Sequence, residues 1–156
     1  MNIIDEIVRK VKIYEGYSDE PYKCPADKWT IGYGYNYEDR GFAAQYITEI
    51  IKNGFTEGLA DILVKQDVLN CYEACEKNIK GFNDLDNNRR AVIVDMCYQL
   101  GLSGLLQFRK MLNAIAVHDY ETASEEMQDS RWYKQSGRRS IANVKQMLTG
   151  ENQEVT

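Results

Sequence analysis

The sequence predicts an α+β protein that is mainly α, with one small antiparallel β-sheet near its N-terminus. Three observations predict it. Apolar residues recur at helical spacing over most of the chain. Only residues 21–35 concentrate aromatic and β-branched side chains among recurring glycines, which favours strands. One segment, "RRAVIVDMCYQLG", is apolar almost all round from Ala91 to Leu100, as a helix at the centre of a core must be.

The elements follow in order. Residues 3–13 place Ile3, Ile4, Ile7, Val8 and Val11 on one helical face, and the helix is expected to stop near Glu15-Gly16. From Pro21 to Tyr35 the pattern turns to strands. There the run Thr30-Ile31-Gly32-Tyr33-Gly34-Tyr35 suggests a strand whose backbone must come close to something. A helix is expected from Phe42 to Ile51, ending at Asn53-Gly54. Thr56 reads as the N-cap of the next helix, with Glu57 in its first turn. Its apolar residues carry it to about Ile79, a span of roughly 30 Å that is enough to bridge two lobes. Shorter helices are expected over Leu106 to Val117, Tyr120 to Gln128 and Arg138 to Leu148. The polar tail "ENQEVT" is expected to fray.

Composition narrows the function. At 156 residues the chain makes one compact domain or two small lobes sharing a core. With 44% hydrophobic and 28% charged residues it has what a globular fold needs, which argues against disorder. The formal charge of −5 argues against nucleic acid as a partner, because phosphate binding needs a basic face. Charges interrupt the apolar pattern of the first 16 residues, so no secretory signal is expected, and no run of 18 apolar residues suggests membrane insertion. The four cysteines (24, 71, 75 and 97) are then expected as reduced thiols.

The candidate chemistry gathers in Glu15 to Asn36. Glu15 sits where the first helix ends, flanked by Tyr14, Tyr17 and Tyr22. A carboxyl held partly dry at that junction would suit a general acid, which must hold a proton to give. Cys24 and Thr30 flank the hairpin. A thiol is a modest base unless its thiolate is favoured, and a threonine hydroxyl can orient water. Each residue also has a plain structural reading: a solvated helix end, a small apolar filler and a good strand residue. Elsewhere, His118 beside Asp119 reads as a surface residue. Cys71 and Cys75 lie four apart on one helix and read as a packed face, with Cys97 in an unrelated segment; no metal site and no cofactor are expected. "GYGY" lacks the helix start and distant acid of a dinucleotide fingerprint.

The spacing Glu15, eight residues, Cys24, five residues, Thr30-Ile31-Gly32-Tyr33-Gly34 resembles the active-site segment of the phage-type lysozymes, or endolysins, of glycoside hydrolase family 24. "FTEGLADILVKQDV" (55–68) is similar to that family's inter-lobe helix, "RRAVIVDMCYQLG" (89–101) to its buried central helix, and "SRWYKQSGRR" (130–139) to its tryptophan-tyrosine-glutamine segment. The resemblance implies a two-lobed lysozyme-like fold forming a single domain over residues 1–156. A small lobe holding the hairpin spans residues 14–56, and the helical lobe takes residues 1–13 and 57–156.

It further implies hydrolysis of the β-1,4 bond between N-acetylmuramic acid and N-acetylglucosamine in peptidoglycan, by a monomer. Glu15 would be the general acid. Cys24 falls where the family has aspartate or cysteine, and Thr30 where a threonine places the attacking water. Arg139 would pair with Glu15, and Tyr98 and Gln99 would floor the cleft. Tyr35 stands where the family usually has a histidine paired to the inter-lobe helix, so it is expected at the substrate site with its phenol bonded to Asp67. Asp27 replaces a turn glycine common among relatives.

Three routes stay open for the second half of the chemistry: Cys24 acts as thiolate or water-positioner, Asp27 supplies the charge, or Thr30 suffices. Two alternatives to the hydrolase also stand. One is a lytic transglycosylase using Glu15 alone; the other is an inactive wall-binding protein on the same scaffold. The acidic overall charge does not suit an anionic wall polymer, but Arg131, Lys134, Arg138, Arg139 and Lys145 can offset it at the cleft rim. Lacking a signal, the enzyme would stay in the host cytoplasm until the membrane is permeabilised.

Overall fold

The computed structural model describes residues 2–155. The order is α1 (Ile3–Glu15), β1 (Ser18–Lys23), β2 (Trp29–Gly32), β3 (Tyr35–Asn36), α2 (Tyr37–Arg40), α3 (Ala44–Asn53) and α4 (Glu57–Asn78). A 3₁₀ turn (Phe82–Asp84) then leads to α5 (Asn87–Leu106), α6 (Arg109–Ala116), α7 (Tyr120–Gln128), α8 (Arg131–Ser136) and α9 (Arg138–Thr149). This is the mainly helical α+β, lysozyme-like architecture.

Local chemistry sets the ends of α1. Asn2 accepts the amide of Asp5 at its start, Asp5 and Glu6 fill its first turn, and Gly16 ends it at φ 70°. Ile7 and Val11 point from α1 into the main core. β1, β2 and β3 form an antiparallel sheet in that order, with Tyr22 opposite Thr30 and Ile31 opposite Tyr35. The β1–β2 turn closes with the Asp27 amide donating to Cys24 O at 2.8 Å and the Cys24 amide to Lys28 O at 3.0 Å. Asp27 itself sits at φ 61°, the left-handed geometry that a glycine would supply more cheaply and that aspartate tolerates better than most.

Two apolar clusters divide the burial. The smaller packs Tyr35, Leu59 and Leu63 with Tyr37, Phe42, Tyr46, Ile50 and Phe55. The larger surrounds α5, whose Val92, Ile93, Val94 and Met96 are fully buried, each stabilising by about 1.5–3 kcal/mol relative to exposure. α4 contributes to both clusters, with Leu59 and Leu63 on one side and Val64, Val68 and Cys75 on the other. Thr56 caps it, accepting the Leu59 amide at 3.1 Å.

Several boundaries depart from expectation. α5 is broken at Gly101, whose φ 72° and ψ 165° are not helical, and a further helical stretch carries it to Leu106, so the next helix starts at Arg109 rather than at Leu106. Ser130 caps a separate short helix, α8, and Gly137 at φ 56° turns the chain into α9. The tail does not fray over its described length. Arg9 reaches Glu154 at 3.3 Å, Lys10 bonds Asn152, and the Gln153 amide donates to Gln146 Oε1 at 3.0 Å. Side-chain partners on α1 and α9 decide this, which tail composition alone does not reveal; Thr156 lies outside the described residues.

Candidate active site

Glu15 is the last residue of α1, and its side chain is 26% exposed. Arg139, in the first turn of α9, donates from Nη1 to Glu15 Oε1 at 2.7 Å. The opposite edge of the same guanidinium grips Asp95 of α5, with Nε to Oδ2 at 3.0 Å and Nη2 to Oδ1 at 2.7 Å. Asn143 donates to Asp95 Oδ2 at 2.8 Å, and the Tyr14 ring lies 5.1 Å from the guanidinium carbon. Burial alone would push Arg139 toward neutrality, but Asp95 and then Glu15 reverse this and leave it more firmly protonated than a free arginine. One buried cation thus holds three helices, α1, α5 and α9, at the acid.

Asp95 did not emerge from the sequence as a site residue. A signal existed: it is the lone acid within a helix otherwise apolar all round, and a buried carboxylate must find a cation or pay a large desolvation penalty.

The glycines of the hairpin have a direct reason. A Cβ on Gly34, at φ +78°, would lie 3.0 Å from Glu15 Oε2, and one on Gly32 would lie 3.1 Å from the Phe55 ring. The close approach anticipated for the strand is therefore to the acid itself. Gly34 also lines a groove of about 480 Å³, together with Asn36, Arg40, Asp67, Tyr98 and Gln99. Glu15 therefore has one oxygen clamped and the other turned toward a groove-lining backbone. Tyr98 is fixed by donating to Tyr33 O at 2.9 Å, and burial holds its phenol protonated well above the ordinary range. Gln99 accepts the Trp132 indole N–H at 2.9 Å, which ties the 130–139 segment to the groove floor.

Across the sheet, Tyr22 and Thr30 are directly paired and so share a face. The Tyr22 phenol is pushed up by partial burial and then by the negative charges of Glu15 and Cys24. The Cys24 thiol is pushed below its ordinary value. The Lys28 backbone is the largest cause; burial opposes it, and the Ala26 backbone and Thr30 hydroxyl add to the lowering. Thr30 is buried and donates to Lys28 O at 2.9 Å, so its single proton must serve either that carbonyl or the sulfur. The Asp27 side chain is 88% exposed and its carboxylate lies 3.9 Å from Lys23.

Tyr35 differs from its expected setting. Its hydroxyl donates to Gly41 O at 2.8 Å, its ring stacks on Phe42, and it is only 9% exposed within the smaller apolar cluster. It is not bonded to Asp67. Arg40 takes that partner, at 2.6 and 2.8 Å, and lays its guanidinium over the Tyr35 face at 4.2 Å. A bidentate arginine outcompetes a phenol for a carboxylate, and the one-turn helix α2 that delivers Arg40 was not anticipated. Cys97, expected in an unrelated segment, lines the same groove as Cys71. Among the described residues, no group of three His, Cys, Asp or Glu side chains is arranged to hold a metal ion.

A small sheet beside a helical body, with a clamped helix-end acid against the Gly34 wall of a groove, defines a protein of the lysozyme-like class. Comparison with known proteins is specific. The phage lysozyme family model matches residues 12–147. A probable T4-type lysozyme 1 of Dictyostelium discoideum is 27% identical over 95% of this chain and 96% of its own. The endolysin of Acyrthosiphon pisum secondary endosymbiont phage 1 is 25% identical over 90% of this chain and 87% of its own. The pre-baseplate central spike protein Gp5 of Enterobacteria phage T4 matches at 32% over 42% of this chain, but over only 12% of that protein. The chain belongs to the phage lysozyme family and is accordingly a lytic enzyme of the lysozyme type.

Proposed function

We propose that this protein hydrolyses the β-1,4 bond between N-acetylmuramic acid and N-acetylglucosamine in peptidoglycan, with Glu15 as general acid. One observation carries the reading: Arg139 occupies Oε1 of Glu15 at 2.7 Å, while Oε2 faces Gly34 on the groove wall. A carboxyl so held can present its proton in one direction only, toward the glycosidic oxygen of a strand lying in the groove. The proton passes from Oε2 to the leaving oxygen as the C–O bond breaks and positive charge develops on the sugar.

A water on the opposite sugar face then supplies the new C–O bond, giving inversion. Thr30 and Cys24 are the groups to hold that water. The sulfur leans toward the thiolate, the Lys28 backbone being the first cause, so it can accept the water's proton as attack proceeds. Tyr98 and Gln99 bind the strand through fixed positions on the floor. Arg139 positions the acid, and Tyr35 acts indirectly by shaping the small lobe behind the groove.

The test is muropeptide product analysis on wild type beside Glu15→Gln. Wild type is expected to give free reducing ends, and the amide variant, with unchanged unfolding midpoint, none. Full lysis by Glu15→Gln would overturn the proposal. The presence of a thiol where a carboxylate would assist more strongly favours one other reading, a lytic transglycosylase, which 1,6-anhydro ends would reveal.

A further inference from the structure

A second buried polar side chain on α9 ties together the same helices as Arg139. Arg139, Asn143 and Gln146 follow at intervals of four and three residues and so share one helix face. Gln146 is only 3% exposed, and both ends of its amide are engaged. Nε2 donates to Asn88 O, in the first turn of α5, at 2.6 Å. Oε1 accepts from Lys10 Nζ of α1 at 3.2 Å and from the Gln153 amide at 3.0 Å. Lys10 also donates to Asn152 Oδ1. Burial pulls the lysine ammonium below its ordinary pKa, and these two side-chain oxygens replace water it has lost.

α1 packs mainly on α4 and α5, and α9 on α5, α7 and α8. The α1–α9 spacing that the Glu15–Arg139 bond requires is therefore bridged by long side chains, at two points. Lys10 precedes Glu15 by five residues, about 7.5 Å along α1, and Gln146 follows Arg139 by seven, about 10.5 Å along α9. One tie between two rods is a pivot; a second fixes their crossing. Tyr14, Asp95 and Asn143 beside the first tie and Lys10, Gln146 and Gln153 at the second line a cavity of about 20 Å³, space for roughly one water. Little slack separates the two.

From this arrangement we infer that Gln146, gripping Lys10, is a positioning residue for Glu15: it fixes α1 against α9 so that Arg139 meets Oε1 and Oε2 is left to the groove. This role presupposes the reading of Glu15 as general acid and adds what keeps it aimed. Gln146 acts through the two helices and not on the sugar. The Asn152 side chain and the Gln153 amide complete the grip, which gives the docked segment after α9 a part at the acid. Without the grip, α1 can rotate about the Arg139 bond, and a hydrogen bond weakens steeply as its angle closes. The acid is then aimed less often. Turnover falls, while strand binding by Tyr98 and Gln99 on α5 is untouched.

The experiment compares full-length wild type with Gln146→Met, Lys10→Met and Gln146→Glu on soluble peptidoglycan strands, at a temperature where circular dichroism shows each folded. Both methionine variants are expected to lower kcat about tenfold, inside the 10²-fold that a misplacement of about 1 Å can cost, with KM within about twofold of wild type. Gln146→Glu keeps an oxygen for Lys10 and for the Gln153 amide but loses the donor to Asn88 O. It should unfold more readily and yet regain most of the kcat. A second readout needs no substrate. The Arg139 Nη1 hydrogens, followed by nitrogen-15 NMR, should exchange with solvent about tenfold faster in the methionine variants, because the bond to Glu15 is made less often. Wild-type kcat in both folded methionine variants would overturn the inference, as would a Gln146→Glu no better than Gln146→Met, or unchanged Arg139 exchange. A wild type that releases no glycan fragments would count against the glycan-cleaving reading instead, and the exchange measurement would still decide this one. Should Gln146→Met fail to fold, Lys10→Met, on the more exposed side of the bond, carries the same comparison.

Discussion

Asp95→Asn tests the three-helix clamp most directly. In the native protein the carboxylate, 10% exposed at its side chain, accepts two bonds from Arg139 and one from Asn143. The amide keeps one acceptor oxygen and turns a donor toward another donor. One charge-assisted bond is then lost, at about 1.5–3 kcal/mol, and part of the Arg139 charge is left less well compensated. Glu15 remains as its partner, so the loss should stop short of the 3–5 kcal/mol seen when a buried pair is fully broken. We expect about 3 kcal/mol. With an m-value near 2 kcal/mol/M in urea, the unfolding midpoint should fall by about 1.5 M at unchanged slope. Arg139→Met should be worse, since it strands two carboxylates. Converting both Arg139 and Asp95 to apolar residues should recover part of that loss. A midpoint shift below about 0.3 M for Asp95→Asn would show that the buried triad does not carry the stability assigned to it.

Three further outcomes follow from the geometry. Gly34→Ala places a methyl 3.0 Å from Glu15 Oε2 at φ +78°. It should cut wall lysis at least tenfold, while the left-handed backbone costs about 1–2 kcal/mol in unfolding; unchanged turbidity clearance would refute the close approach. Cys24 should be alkylated by iodoacetamide with a rate that rises with pH and levels off below the ordinary thiol value of about 8.5. The sign follows from its thiolate being favoured in the folded state, so reactivity is lost as pH falls through the lowered value; a midpoint above that of a free thiol would contradict the backbone bonds to sulfur. Tyr35→Phe removes the bond to Gly41 O and should cost about 1 kcal/mol. A double-mutant cycle with Asp67→Asn should show coupling below about 0.5 kcal/mol, because Asp67 is held by Arg40.

The sequence made the helices legible where one physical signal dominated. Thr56 marks the start of α4 because a threonine ahead of an acid and an apolar run is a cap, and the all-round apolar α5 could only be central. The glycines of the hairpin announced a close approach but not its object, since Glu15 lies outside the sheet. What stayed hidden depended on competition among distant side chains. Asp67 chose Arg40 over Tyr35 through geometry that no spacing rule supplies. Cys97 came to share a groove with Cys71 because α4 and α5 pack against each other. Asp95 was visible as an anomaly without a named partner, and the tail's docking rested on three polar side chains of α1 and α9.

The clamp on Glu15 closes across 124 residues of chain. A ribosome releases the acid well before the arginine, so a nascent chain carries residue 15 long before that guanidinium can orient it. α1 likewise acquires its α5 and α9 neighbours only as those helices emerge. Competence to cut therefore waits for the arginine's helix to emerge and dock, and a product terminated before it would contain the reactive group in an aimless form.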